Sequence, residues 1–150
     1  IKDLKNEIYF EPHHYGPYSE SLEQELEYLE VLDIVEVNNE IKLTEIGKKI
    51  YERLKEKADP KELELINEIR SEIDDLTEEE LLTLIYFTFR EMTKESRILD
   101  KILMKRINIA IKLYLKGKVS LAKAAEIAGM SLSEFMDYLR KRKIKIPLSH

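Results

Sequence analysis

Residues 120–142 read SLAKAAEIAGMSLSEFMDYLRKR, and the reading of this stretch decides the rest of the chain. Ser120 and Ser131 each precede an apolar-periodic run, where a hydroxyl can accept from the orphan amides of a helix's first turn. Gly129 and Met130 lie between the runs. A short turn between two crossing helices needs a residue that accepts a left-handed backbone, and Gly129 does so with no Cβ penalty. Only a small side chain fits where the two axes come closest, and Ala125 stands there. The packed positions must be apolar, as Leu121, Ala124, Ala128, Met130, Phe135 and Tyr138 are. The spacing predicts a helix-turn-helix; an ordinary helical hairpin with no nucleic-acid role fits the same pattern.

Upstream, Ile102, Leu103, Ile107, Ile109, Ala110, Leu113 and Tyr114 predict a long helix over about 99–116, ended by Gly117. Residues 93–96 form a polar break. Before it, Thr77 and Glu80 read as a capping box opening a helix to about Arg90. That helix is apolar over much of its surface (Leu81, Leu82, Leu84, Ile85, Phe87, Phe89), as a core element or dimer seam would be. A further helix spans about 61–73, and Asp59-Pro60 is read as ending the one before it. In that earlier helix Thr44 is the cap and Ile46, Ile50, Tyr51 and Leu54 the apolar stripe. Residues 34–37 and 41–43 read as strands joined at Asn38-Asn39, since Asn tolerates the positive φ of tight hairpins. Ser19 or Ser21 caps a Leu-rich helix over about 19–32. Leu4 and Ile8 suggest a helix remnant before an aromatic loop (Tyr9 to Pro17) packed on the domain.

The expected fold is mainly α: an incomplete winged helix with a small β-hairpin, a helical segment, and a C-terminal helix-turn-helix. The expected domains are 1–58 (winged-helix-like), 59–95 (helical connector or dimerisation segment) and 96–150 (basic helix-turn-helix). The first residue is Ile1, not Met, so an upstream piece carrying the first winged-helix helix is expected.

Charge divides the chain. Residues 1–100 carry 13 Lys+Arg and 27 Asp+Glu, a net −14, whereas residues 101–150 carry 12 and 3, a net +9. Such asymmetry points to two regions with different partners, or to a basic part lying on an acidic one. The balance of 18 Ile, one Gln and no Cys or Trp is typical of heat-adapted proteins. Without Cys there is neither a disulfide framework nor a thiolate metal site. No apolar run approaches the ~18 residues of a membrane span, and no signal peptide opens the chain. A cytoplasmic protein with no membrane partner is the expectation.

The chemistry of sites is sparse. His13-His14 is the one vicinal His pair, and adjacent side chains in an extended loop point apart, which suits no zinc site of three or four ligands. No nucleophile with a nearby base, glycine-rich phosphate loop or paired-carboxylate motif is visible. No catalysis, cofactor or metal is expected.

Nucleic-acid contact is the sharper expectation. The second helix of the motif should face a major groove, presenting Ser133, Glu134, Asp137 and Arg140 after Ser131. Two of these are acids, which phosphate repels unless they read cytosine. Lys118, Lys123, Arg140, Lys141 and Lys143 are the candidate cations, with Lys116, Arg142 and Lys145 around them. In the first domain, by contrast, the helix before the ribbon has five Glu and no Lys or Arg. It is expected to serve packing or dimerisation and not base reading.

Two stretches carry a resemblance. Residues 117–136, preceded by AIKLYLKGK (110–118) and followed by IKIP (144–147), resemble a family of small prokaryotic proteins frequent in archaea and described as predicted helix-turn-helix antitoxins. The resemblance covers about 99–148. FEPHHYGPYS (10–19), a Leu-rich helix and LTEIG (43–47) resemble winged-helix modules of archaeal proteins. The first resemblance implies a regulator that represses its own operon while binding a partner toxin. The expected function is a homodimeric regulator on double-stranded DNA; the alternative is a module that binds a protein partner through the same motif.

Overall fold

The computed structural model describes residues 8–145. The expected helix around Leu4 and the segment past Lys145 lie outside them, and Ile8 itself is not helical. The chain is mainly helical with one small antiparallel ribbon, a winged-helix-like layout. In order come α1 (Glu20–Val31), β1 (Val35–Val37), β2 (Ile41–Leu43), α2 (Glu45–Lys57), α3 (Pro60–Ile73), α4 (Glu78–Thr88), a 3-10 turn (Arg90–Thr93), α5 (Leu99–Leu115), α6 (Leu121–Ala128) and α7 (Leu132–Lys141). None of these helices is long and apolar enough to cross a membrane. Internal contacts divide the chain into two units between Asp74 and Asp75, with residues 13–16 belonging to the second. The 59–95 stretch is thereby shared: α3 lies in the first unit and α4 in the second.

In the first unit Ser19 caps α1, accepting from the Leu22 amide at 3.5 Å. Asp33 ends α1 at φ 55°, while the Ile34 and Asp33 amides donate to the Leu29 and Glu30 carbonyls, both at 2.9 Å. Asp is one of the few residues that visits this region readily. The strands pair Val35 with Leu43 and Val37 with Ile41, leaving residues 38–40 as the loop. The hairpin reading needs one correction: Asn38 and Asn39 do not take positive φ. A three-residue loop closed by the Asn38 amide on the Glu40 carbonyl, at 3.1 Å, removes the need for it.

Thr44 Oγ1 accepts from the Gly47 amide at 3.0 Å and starts α2. Gly47 is buried, and a Cβ there would lie 2.0 Å from the Ile34 carbonyl oxygen. Asp59-Pro60 does more than end the helix before it, although Asp59 is extended ahead of the proline as expected. Asp59 Oδ1 accepts from the Lys61 amide at 3.0 Å and Pro60 begins α3. Proline suits a first helical position because the amide it lacks has no intrahelical partner there. α2 already ends at Lys57.

The second unit holds the main core. Phe135, Leu113, Ile127 and Leu139 are fully buried there, joined by Leu82, Tyr86, Ile102 and Ile109. α4 opens with the expected capping box, the Thr77 amide donating to Glu80 Oε2 at 2.9 Å. It stops at Thr88, short of Arg90, because Phe89 leaves helical dihedrals (φ −120°, ψ 81°).

The aromatic loop is held by its backbone and not by buried rings. Tyr9 and Tyr15 remain 77% and 64% exposed. Glu11 and Tyr18 exchange backbone hydrogen bonds at 2.9 and 3.0 Å, and Gly16 turns the chain at φ 144°. This turn brings the His13 and His14 rings to 4.9 Å, centroid to centroid, instead of splaying them. His14 Nδ1 lies 3.2 Å from the Glu95 carbonyl, to which it can donate. Among the described residues no group of three or more His, Asp or Glu is placed to hold a metal ion.

Candidate nucleic-acid interface

The α6–turn–α7 pair is built by local satisfaction of backbone groups. Ser120 Oγ accepts from the Lys123 amide at 3.2 Å and starts α6. Gly129 ends it at φ 74°, ψ 31°. The Met130 amide reaches the Ala125 carbonyl and the Gly129 amide the Glu126 carbonyl, both at 3.0 Å. This is a Schellman closure, which a Cβ at position 129 would strain. Ser131 then opens α7 with a second capping box: Glu134 accepts from the Ser131 amide at 2.8 Å, and the Glu134 amide donates to Ser131 Oγ at 3.3 Å. Ala125 is 2% exposed and Phe135 wholly buried; Leu121, Met130 and Tyr138 are half-buried against the same core.

Three further residues complete this corner, of which Arg106 has no local signal in the sequence. Ile127 and Leu139 are as buried as Phe135. Arg106, on α5, donates through Nε to the Ile127 carbonyl at 2.6 Å and through Nη2 to the Glu126 carbonyl at 3.1 Å. Its guanidinium also stands over the Phe87 ring, 5.5 Å from the centroid. A cation from a neighbouring helix thus closes the end of α6, where terminal carbonyls carry partial negative charge.

The candidate cations fall into two groups. Lys118 pairs with Asp75 at 3.1 Å and its side chain is 12% exposed. Lys123 donates to the Phe87 carbonyl at 2.9 Å and to Glu126 at 3.0 Å. Lys116 donates to Glu80 at 2.6 Å and to the Asp75 carbonyl. Lys105, and more loosely Lys101, pair with Glu79. The carboxylates register these partners: Lys118 holds Asp75, Lys105 holds Glu79 and Lys123 holds Glu126 below their ordinary values, each against a smaller opposing effect of burial. These lysines brace α4, α5 and α6 and are engaged before any ligand arrives.

The second group is open. Arg140, Lys141, Arg142 and Lys143 are all exposed at the end of α7. Arg140 shares one contact with Asp137, Nη1 to Oδ1 at 3.2 Å, and Arg142 lies over Tyr138, 4.5 Å from the ring centroid. Lys143 takes φ 57°, an uncommon conformation for a residue with a side chain. Its amide and that of Ile144 close α7 onto the Arg140 and Leu139 carbonyls, at 2.9 and 3.0 Å. Ser133 is exposed on the first turn. Glu134 is occupied by the helix start: the Ser131 hydroxyl and amide hold its carboxyl below the usual range. A negative charge at that place also suits the helix dipole.

Residues 91–150 match the model of an uncharacterised protein family, UPF0175. A UPF0175 protein of Archaeoglobus fulgidus is 49% identical over 41 residues, which is 27% of this chain and 47% of that protein. One from Aeropyrum pernix is 48% identical over 40 residues, 27% of this chain and 51% of its own. The chain therefore spans about half the length of the curated relatives it matches, and the likeness is to archaeal proteins. No solved structure matches. The UPF0175-like part takes in all but the first residue of the 3-10 turn and α5 to α7, while α4, which supplies Glu79 and Glu80 to their lysines, precedes it.

Proposed function

We propose that this chain is a DNA-binding regulator, in which α6 and α7 act as a helix-turn-helix and α7 enters the major groove. One observation carries the reading: Lys101 and Lys105 on α5, Lys116 and Lys118 just after it, and Lys123 on α6 are bound by their own unit's oxygens, whereas the cations 140–143 stand exposed together at the end of α7. Exposed positive charge thereby clusters at one helix end, with Arg140 sharing a single contact with Asp137, where a polyanion would meet it. Arg140, Lys141 and Lys143 are the phosphate contacts, with Ser133 and Asp137 nearest the base edges. Lys118, Lys123, Ser131 and Glu134 are assigned to holding the fold and not to DNA. The antitoxin-like reading, a cytoplasmic autorepressor without enzymatic turnover, comes from the sequence resemblance.

The same geometry supports a second reading. Leu132 is 46% exposed on α7 beside Glu134 and Asp137, a mixed surface that suits a protein partner such as a toxin better than phosphate. A salt titration of binding to arbitrary duplex DNA separates the two. About three to four phosphate contacts per copy predict a log–log slope of roughly −3 to −4. The double variant Arg140→Glu/Lys141→Glu should abolish binding, and Lys118→Gln should leave the slope unchanged. No binding at low salt removes the DNA reading in favour of the protein partner.

A further inference from the structure

α3 has 14 residues and none of its side chains is buried. A helix of that length is marginal in water when nothing packs on it. Its apolar residues nevertheless form a stripe: Leu65, Ile66, Ile69 and Ile73 are 47, 52, 55 and 43% exposed. Within the first unit, the groove between the end of α2 and α3 is lined on the α3 side by Leu63, Glu64, Asn67, Glu68 and Ser71. The end of α2 therefore faces the side of α3 that carries Leu63, Glu64 and Asn67, away from the stripe. Glu62, Ile66, Ile69 and Ile73 follow one another at 4-3-4 spacing, the seam of a helix pair.

We propose that this stripe pairs with its own copy: α3 of two chains lie antiparallel, Ile66 and Ile69 of each packing on those of the other, with Glu62 of each facing Arg70 of the other. Charge selects this arrangement. A parallel pair would set two Glu62 carboxylates side by side within the seam. An antiparallel pair sets Glu62, near the start of α3, beside Arg70, near its end, and a two-fold axis makes the contact twice. Arg70 spends only Nε on Asp74, at 3.0 Å, so other donors of its guanidinium remain for Glu62. From Glu62 to Ile73 the seam runs about 17 Å and falls short of the ~800 Å² per partner of a standard interface. The association is therefore weak, roughly micromolar. The inference does not rest on the DNA reading and would survive its failure.

The test is sedimentation velocity on the full chain between about 1 and 200 μM, with circular dichroism to confirm that each variant is folded. A monomer–dimer equilibrium is expected. Ile66→Asp should weaken it by at least ~30-fold, since it places an unpaired carboxylate in the seam. Glu62→Arg and Arg70→Glu should each weaken it about 10-fold, and the double reversal should return it to within about 3-fold of the parent. A chain that stays monomeric at every concentration overturns the proposal, as it would if a different protein covers the stripe. So does a dimer indifferent to Ile66→Asp, or one that the double reversal fails to restore.

Discussion

A double-mutant cycle on Arg106 and Gly129 tests how the corner between α6 and α7 is held. The Arg106 guanidinium donates to the Ile127 and Glu126 carbonyls at 2.6 and 3.1 Å. The same guanidinium would lie 2.7–2.9 Å from a Cβ placed on Gly129. Gly129→Ala therefore has two costs. The left-handed conformation costs an alanine about 1 kcal/mol. The new methyl also displaces the guanidinium from both carbonyls. Hydrogen bonds from charged donors are worth about 1.5–3 kcal/mol each. One of these two is solvent-exposed, so about 2 kcal/mol for the pair is the reasonable scale. Arg106→Met keeps most of the apolar stem while removing the donors. Gly129→Ala should thus cost about 2–3 kcal/mol in the parent and only about 1 kcal/mol beside Arg106→Met, a coupling of about 1–2 kcal/mol. Urea unfolding of the four proteins, followed by circular dichroism, reads the cycle. Additivity to within ~0.5 kcal/mol would show that the guanidinium swings aside without loss and does not hold the corner.

Two further outcomes follow from buried contacts. Burial pushes the Glu80 carboxyl up, but the Lys116 ammonium and the Thr77 amide and hydroxyl outweigh it and hold the group below its ordinary 4.5. A depressed folded value means the contribution is complete above the ordinary value and is lost as pH falls through the depressed one. The urea midpoint should accordingly drop more steeply on acidification for the parent than for Glu80→Gln, and parallel curves would contradict this. In the first unit, Gly47→Ala would put a methyl 2.0 Å from the Ile34 carbonyl oxygen. The ribbon and α2 must separate, at about 1–3 kcal/mol. Amide hydrogen exchange should quicken over residues 34–47 and not in α5 to α7; unchanged rates there would show that the close approach is not needed.

Legibility followed the range of each interaction. The caps at Thr44, Thr77, Ser120 and Ser131, and one at Ser19 or Ser21, are readable because a side chain three residues from an orphan amide is a local fact. The Gly129 corner and the small Ala125 were readable for the same reason. At Asn38-Asn39 side-chain type permits several loop lengths, and strand register selects one without positive φ. Asp59-Pro60 marks both the stop before α3 and its start, since the extended Asp59 caps the helix that the proline opens. Charge alone makes Lys118 and Lys123 candidate DNA contacts. Their partners, Asp75 and the Phe87 carbonyl, lie 43 and 36 residues upstream, where no periodicity connects them.

From the order of its residues alone, this protein had its helices, its ribbon and the bend after Ala128. Each of those rests on backbone groups that neighbours within a few positions must satisfy. Packing alone settled which cations remain available and how the end of α6 is closed. Both depend on which oxygens α4, α5 and α6 bring within about 3 Å of an ammonium or guanidinium, a hydrogen-bonding distance. Only the assembled core supplies that distance.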